Sequence, residues 1–139
     1  MKFRIFYEGT KYRFPGWRKA VKLLDIVIRN ENLIAGDINF IITTDNILRP
    51  INKEFLNHDY NTDVIAFDNR SGKVINGEIY ISKDTVKSNS YNYNVSLKKE
   101  MLRVMIHGVL HLTGYSDKSD KERLEMHVIE DKWLEEYFK

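Results

Sequence analysis

His107 and His111 stand four residues apart in the stretch His107-Gly-Val-Leu-His-Leu-Thr-Gly-Tyr-Ser-Asp117. A helix turns about 100° per residue, so two imidazoles at this spacing share one face and can reach one metal ion. Gly114 follows His111 by three residues and can end the helix and reverse the chain. Asp117 can then swing back as a third ligand. Three protein ligands with one open position are the form of a catalytic zinc site. Two neutral histidines packed in a core would share the same spacing. The glycine and the carboxylate that follow favour the metal over that reading.

The same spacing occurs in the elongated metallopeptidase motif, which places Glu directly after the first His as general base. Gly108 stands there instead and cannot move protons, so peptidase chemistry is not expected. Asp117 in place of a third imidazole adds negative charge and is expected to leave the metal a poorer Lewis acid.

The helix that carries the histidines must position them. Ser96 can cap it, and it should run to about Thr113. On a helical wheel Glu100, Arg103, His107 and His111 fall within about 80° of one another. The rest of the helix is apolar, with Leu97, Met101, Leu102, Val104, Met105, Ile106, Val109, Leu110 and Leu112. Such a helix is buried nearly all round, so its polar seam should face a cleft inside the fold. Arg103 lies one turn before His107. Two roles stay open for it: a clamp on an anionic substrate, or an ion pair with Glu100. His127 reads as a surface or packing residue, and His58 sits in a polar loop.

The other elements alternate between strand and helix patterns. Lys2 to Tyr7 alternates as a short strand. Residues 17–31 carry Trp17, Ala20, Val21, Leu24 and Ile28 at helical spacing, with Pro15-Gly16 before them and Asn30 to Asn32 after. Strands are expected over Asp37–Thr43, Asp63–Phe67 and Gly77–Ser82. Thr44 and Asp45 can cap a second helix toward Leu56, and Pro50 should confine its regular part to the residues from 50 onward. Ser82 can cap a helix from Lys83 to about Tyr93. Ser119-Asp-Lys-Glu122 is a capping box for a last helix ending near Tyr137. Residues 1–139 are therefore expected to form one α+β domain. A mixed four-stranded sheet, parallel in part, packs against helices, and the metal site lies on a central buried helix.

Bulk properties bound the function. The 139 residues include 42% hydrophobic residues, enough for one core, and a net charge of only +2. The charge is uneven. Residues 1–29 hold Lys2, Arg4, Lys11, Arg13, Arg18, Lys19, Lys22 and Arg29 against Glu8 and Asp25, while residues 117–139 are acidic on balance. The basic third is compatible with a polyanionic partner or with a solvated helix face. Absence of cysteine excludes disulfides and thiolate zinc sites and suits a reducing compartment. The first residues form no signal peptide, and no stretch reaches the ~18 apolar residues of a membrane span. A cytoplasmic protein with no membrane partner is expected.

With these residues in view, the sequence resembles the YbeY family of bacterial rRNA maturation factors, whose signature reads approximately HGxLHLxGYDH. The stretch His107–Asp117 carries it. Ile51-Asn52 with Thr62-Asp-Val-Ile-Ala-Phe67 is similar to a second family block, and Gly77-Glu-Ile-Tyr-Ile-Ser82 to a third. The resemblance covers roughly residues 37–126. It implies a metal-dependent endoribonuclease that cleaves single-stranded RNA, matures the 3′ end of small-subunit ribosomal RNA and takes part in ribosome quality control. It also implies one divalent metal ion, zinc, held by His107, His111 and Asp117. His107 and His111 would then be catalytic, and Arg103, from its place on the same seam, is the candidate phosphate clamp or transition-state stabiliser beside them. The implied partners are the RNA of the small ribosomal subunit and ribosomal or GTPase assembly factors. Two positions depart from the family. Asp117 stands where the family has its third histidine. Leu56 stands where a family loop usually carries an Arg associated with the RNA reaction, and His58 or Lys53 are the nearby substitutes. An alternative reading follows from these departures: a ribosome-assembly factor that binds RNA or protein, with a structural or weakly catalytic metal. A small metal-dependent hydrolase of another substrate is a third.

Overall fold

The computed structural model describes residues 2–139. The elements in chain order are β1 (Lys2–Tyr7), α1 (Trp17–Asn30), β2 (Ile34–Thr43), α2 (Asp45–Leu56), β3 (Val64–Asp68), β4 (Val74–Ser82), α3 (Lys83–Asn92), α4 (Leu97–Leu112) and α5 (Asp120–Tyr137). The sheet has four strands in the order β1-β2-β4-β3. β1, β2 and β4 run parallel, and β3 returns antiparallel beside β4. The expected mixed sheet is present. Its parallel pairs are joined through helices, as parallel strands require.

Strand alternation sorts the side chains to two faces. Phe3, Ile38, Phe40, Ile42, Ile79 and Ile81 point to one face and join the main core with α1, α4 and α5. Ile41 and Ile65 lie level with Tyr80 on the other face, and with Leu48 of α2 they form a smaller buried layer. Helix α4 is the centre of the main layer. Ser96 Oγ accepts from the Lys99 amide at 3.1 Å and starts it. Gly114, at φ +113°, ends it, its amide bonding to the His111 carbonyl at 3.1 Å. Between these ends Met101, Leu102, Met105, Ile106, Val109 and Leu110 are fully buried.

Glycine lets α4 lie directly on the sheet. A Cβ on Gly108 would stand 2.7 Å from Ile79 Cγ2. A Cβ on Gly77 would meet the Phe67 carbonyl at 2.5 Å and Leu112 Cδ2 at 2.9 Å. Gly108 is thus a contact residue of the helix and sheet, which gives a packing reason for the absence of a carboxylate after His107.

Several boundaries differ from the sequence expectation. Helix α2 runs unbroken from Asp45, not from Pro50. Pro50 and Asn46, whose carbonyl loses its usual donor to the ring, both lie on the exposed side, so the missing bond is left to water. Thr44 occupies the N-cap but its hydroxyl makes no cap bond. The Asp45 carboxylate instead accepts from Ser82 Oγ at 2.5 Å and Thr85 Oγ1 at 2.6 Å, tying α2 to the start of α3. Strands β2 and β4 begin earlier than Asp37 and Gly77. Their early residues pair as Ile34 with Val74 and Ala35 with Ile75, followed by a register shift. The Asn76 side chain fills that bulge, accepting from the Asp37 amide at 2.8 Å. β3 is shifted by one residue and spans Val64–Asp68, because Asp63 contributes only its carbonyl, to the Ser82 amide at 2.9 Å.

Candidate metal centre

His107 and His111 project from the last two turns of α4, and Asp117 returns from the loop after Gly114. His107 Nε2 lies 2.9 Å from His111 Nε2 and 3.3 Å from Asp117 Oδ2, and His111 Nε2 lies 3.2 Å from the same oxygen. The three atoms form a nearly equilateral triangle. Ligands ~2.0–2.1 Å from a tetrahedral zinc ion are ~3.3–3.4 Å apart, so the triangle matches one face of such a site. Together the three residues could hold one metal ion.

The second ring nitrogens decide what faces that triangle. His111 Nδ1 lies 3.0 Å from the Tyr115 carbonyl, which can only accept, so Nδ1 carries the proton. His107 Nδ1 lies 2.7 Å from Glu130 Oε2. With Glu130 ionised, that nitrogen donates as well. In the neutral rings this leaves both Nε2 atoms as lone pairs, facing each other beside a carboxylate. Two such lone pairs at 2.9 Å repel unless a cation, a proton or a metal ion, lies between them. The donor set fits a divalent metal, and each histidine is oriented from behind as metal ligands are.

Glu130 is the residue that pattern reading missed. It is 1% exposed, on the face of α5 shared with Met126, Trp133, Leu134 and Tyr137. Those positions follow helical spacing, so a carboxylate inside an apolar stripe was the available signal. Burial lowers the pKa of the His107 imidazole. The Glu130 hydrogen bond and charge, helped by Asp63 and Asp117, more than offset that, and the net shift is upward.

His107 and Asp117 line a cleft of about 460 Å³ between α3, α4 and α5, and His111 stands just behind them. Its lining is acid-rich, with Asp63, Glu100, Asp117, Glu130 and Asp131 against Arg103 and Arg123. Burial pushes the Glu100 carboxyl up to about 7, against the pull of Arg103 and with the help of Asp63 and Glu130. Burial also raises Asp63, with His107 opposing.

The other residues singled out from sequence are placed as follows. Arg103 lines the cleft beside His107, 19% exposed, with its guanidinium 3.5 Å from Glu100, 3.4 Å from Glu130 and 2.7 Å from Asp131. The ion pair with Glu100 is present, together with two pairs that sequence spacing did not suggest. His127 is exposed at the cleft rim, 3.5 Å from Glu130 Oε1. His58 stacks on Tyr60 in the loop after α2, with centroids 5.1 Å apart. Leu56, His58 and Lys53 are all outside the cleft lining.

Residues 15–138 match the family model described as Endoribonuclease YbeY. The chain belongs to the YbeY family. The Endoribonuclease YbeY of Flavobacterium psychrophilum is 50% identical over 108 residues, covering 78% of this chain and 77% of that protein. The Endoribonuclease YbeY of Chloroherpeton thalassium is 42% identical over 134 residues, covering 96% of this chain and 94% of that protein. A solution structure of a Thermotoga maritima protein superimposes with a TM-score of 0.67 at 31% identity, covering 98% of this chain and 89% of that one. The YbeY fold thus spans almost the whole chain and includes both the triad and the Glu130 behind it. No helix among the described residues is long and apolar enough to cross a membrane.

Proposed function

We propose that this protein is a metal-dependent endoribonuclease that cleaves single-stranded RNA, with zinc at His107, His111 and Asp117. The observation that carries the reading is the convergence of two imidazole nitrogens and a carboxylate beside a cleft, in a chain of the YbeY family. Held by His107, His111 and Asp117, a zinc ion would supply Lewis-acid polarisation of a phosphoryl oxygen and an activated water for phosphodiester hydrolysis. The chain's own residues set the geometry. Glu130 and the Tyr115 carbonyl fix the two rings, and Gly114 turns Asp117 back toward them. Arg103 offsets the carboxylates along the cleft wall. It can grip substrate by exchanging Asp131, its exposed partner, for a phosphate. The substrate is the RNA of the small ribosomal subunit, matured at its 3′ end in the cytoplasm. Ribosomal proteins or GTPase assembly factors present that RNA, and the same activity serves ribosome quality control.

A second reading is a ribosome-assembly binding factor with a structural metal. Leu56 lies outside the cleft, and Arg103 already faces three carboxylates. These two observations favour it. One experiment separates the readings. Purified wild-type and His111→Ala proteins are assayed for metal content, for cleavage of a single-stranded RNA and for association with the small ribosomal subunit. The nuclease reading expects one zinc per chain, loss of cleavage on chelation or in the variant, and recovery of wild type with metal. Ribosome association with no cleavage by metal-loaded wild type overturns it in favour of the binding factor.

A further inference from the structure

Arg123 lies in the first turn of α5, six residues after the ligand Asp117. One guanidinium nitrogen donates to the Asp117 carbonyl at 3.0 Å, which anchors the side chain beside the ligand loop. The other end meets the Asp120 carboxylate. Asp120 is 99% exposed and Arg123 is 50% exposed, so this pair is open to water. Such exposed pairs contribute only ~0–1 kcal/mol and exchange readily. Arg103 is less open: it is 19% exposed and is held by the buried Glu100 and Glu130 as well as by the exposed Asp131. These two are the Lys or Arg residues that line the cleft among the described residues. The cleft is otherwise acid-rich, so a polyanion entering it needs an available cation near the metal ligands. Lys53 and His58 lie outside the lining and do not supply one.

We propose that Arg123 grips a backbone phosphate of the bound RNA at the mouth of the His107, His111 and Asp117 triad, exchanging Asp120 for that phosphate. This rests on the RNA-cleavage reading above. A guanidinium presents parallel N–H donors to phosphate oxygens as it does to a carboxylate, so a phosphate can take the place of the water-exposed Asp120. The anchor to the Asp117 carbonyl keeps the donor fork beside the site while Asp120 is released. Arg123 thereby supplies, from α5, a phosphate contact in a chain that has Leu56 in its α2 loop.

The test uses the zinc-loaded full chain with wild-type, Arg123→Ala and Arg123→Lys proteins. Metal content, binding of a single-stranded RNA across a salt series, and cleavage kinetics are measured. Arg123→Ala is expected to keep its metal and bind RNA about tenfold more weakly. Its slope of log affinity against log salt should fall by about one, with the loss appearing in KM. Arg123→Lys keeps the charge and is expected to recover the slope but not the full affinity. Unchanged affinity and slope in Arg123→Ala overturn the proposal, as does loss of metal, which would make Arg123 a support for Asp117 alone. A Lys variant with the same slope as the Ala variant also overturns it. If wild type binds RNA without cleaving and Arg123→Ala still weakens binding, the phosphate contact stands and the nuclease reading falls. If wild type binds no RNA, both fall.

Discussion

At the scale of single residues, the metal centre depends on protons held away from it. Each imidazole faces the triad with a lone pair because its other nitrogen has a fixed acceptor, the Tyr115 carbonyl for His111 and Glu130 for His107. Glu130 is the more replaceable of the two acceptors, since a backbone carbonyl survives substitution of its side chain. Glu130→Gln keeps an amide oxygen near His107 Nδ1 but removes the charge. Metal affinity is expected to fall about 10-fold or more, the usual effect of disturbing a carboxylate behind a ligand histidine. Competitive titration of apo protein against a zinc chelator measures it. Affinity equal to wild type would show that ring orientation alone suffices.

At the scale of elements, the site is a product of how closely α4 approaches β4. Gly108 lies one residue past the first ligand and faces Ile79, which is fully buried and cannot withdraw. Alanine there would gain ~0.5–1 kcal/mol of intrinsic helix propensity. Overpacking against Ile79 would cost about 1–3 kcal/mol, so the balance is unfavourable. Gly108→Ala is expected to lower the urea midpoint of the metal-free protein and to weaken metal binding as α4 is pushed from the sheet. A variant as stable as wild type would mean that β4 yields at that point. The same element scale accounts for Asp117. The helix must stop at Thr113 and the chain must turn at Gly114 before a carboxylate can return to the two rings.

The whole molecule determines which carboxylates are buried. Glu100 belongs to α4, Asp63 precedes β3, and Glu130 comes from α5, yet all three line one cleft. Burial raises Glu100 to about 7 from the ordinary carboxylate value, so the folded state holds a proton that the unfolded chain releases near pH 4.5. This contribution to stability is fully present below the unfolded value and is lost as pH rises through 7, on the order of 3 kcal/mol. Metal-free wild type is therefore expected to lose stability between pH 5 and 8 relative to Glu100→Gln, which cannot ionise. Urea unfolding of both proteins at the two pH values checks this. Parallel pH dependence of the two would place the Glu100 charge in a better solvated setting than its 3% exposure indicates.

Much of this protein is determined locally and so is legible along the chain. The i, i+4 histidines, the glycine stop, the Ser96 cap and the Ser119 capping box each depend on neighbours within one or two turns. The alternating strands and the nearly all-apolar α4 reveal themselves by period. Interactions across the chain are different in kind. Nothing near Pro50 announces that its freed carbonyl partner would face water, so α2 looked shorter than it is. Nothing near Gly36 announces that Asn76 would fill the bulge that lengthens β2 and β4. Arg103 and Glu100 are three residues apart and could be paired on paper. Glu130 and Asp131 lie on another helix, and only the packing of α5 on α4 brings them to the same guanidinium. The sequence by itself determined the candidate ligand set His107, His111 and Asp117, which could hold a metal ion, because helix geometry and a glycine turn are short-range physics. The tertiary structure alone decided what stands behind and beside that set: Glu130 orienting His107, and Glu130 and Asp131 joining Glu100 on Arg103. Those pairings join residues 20 or more positions apart or on separate elements, and only the burial of α4 under the other helices makes them neighbours.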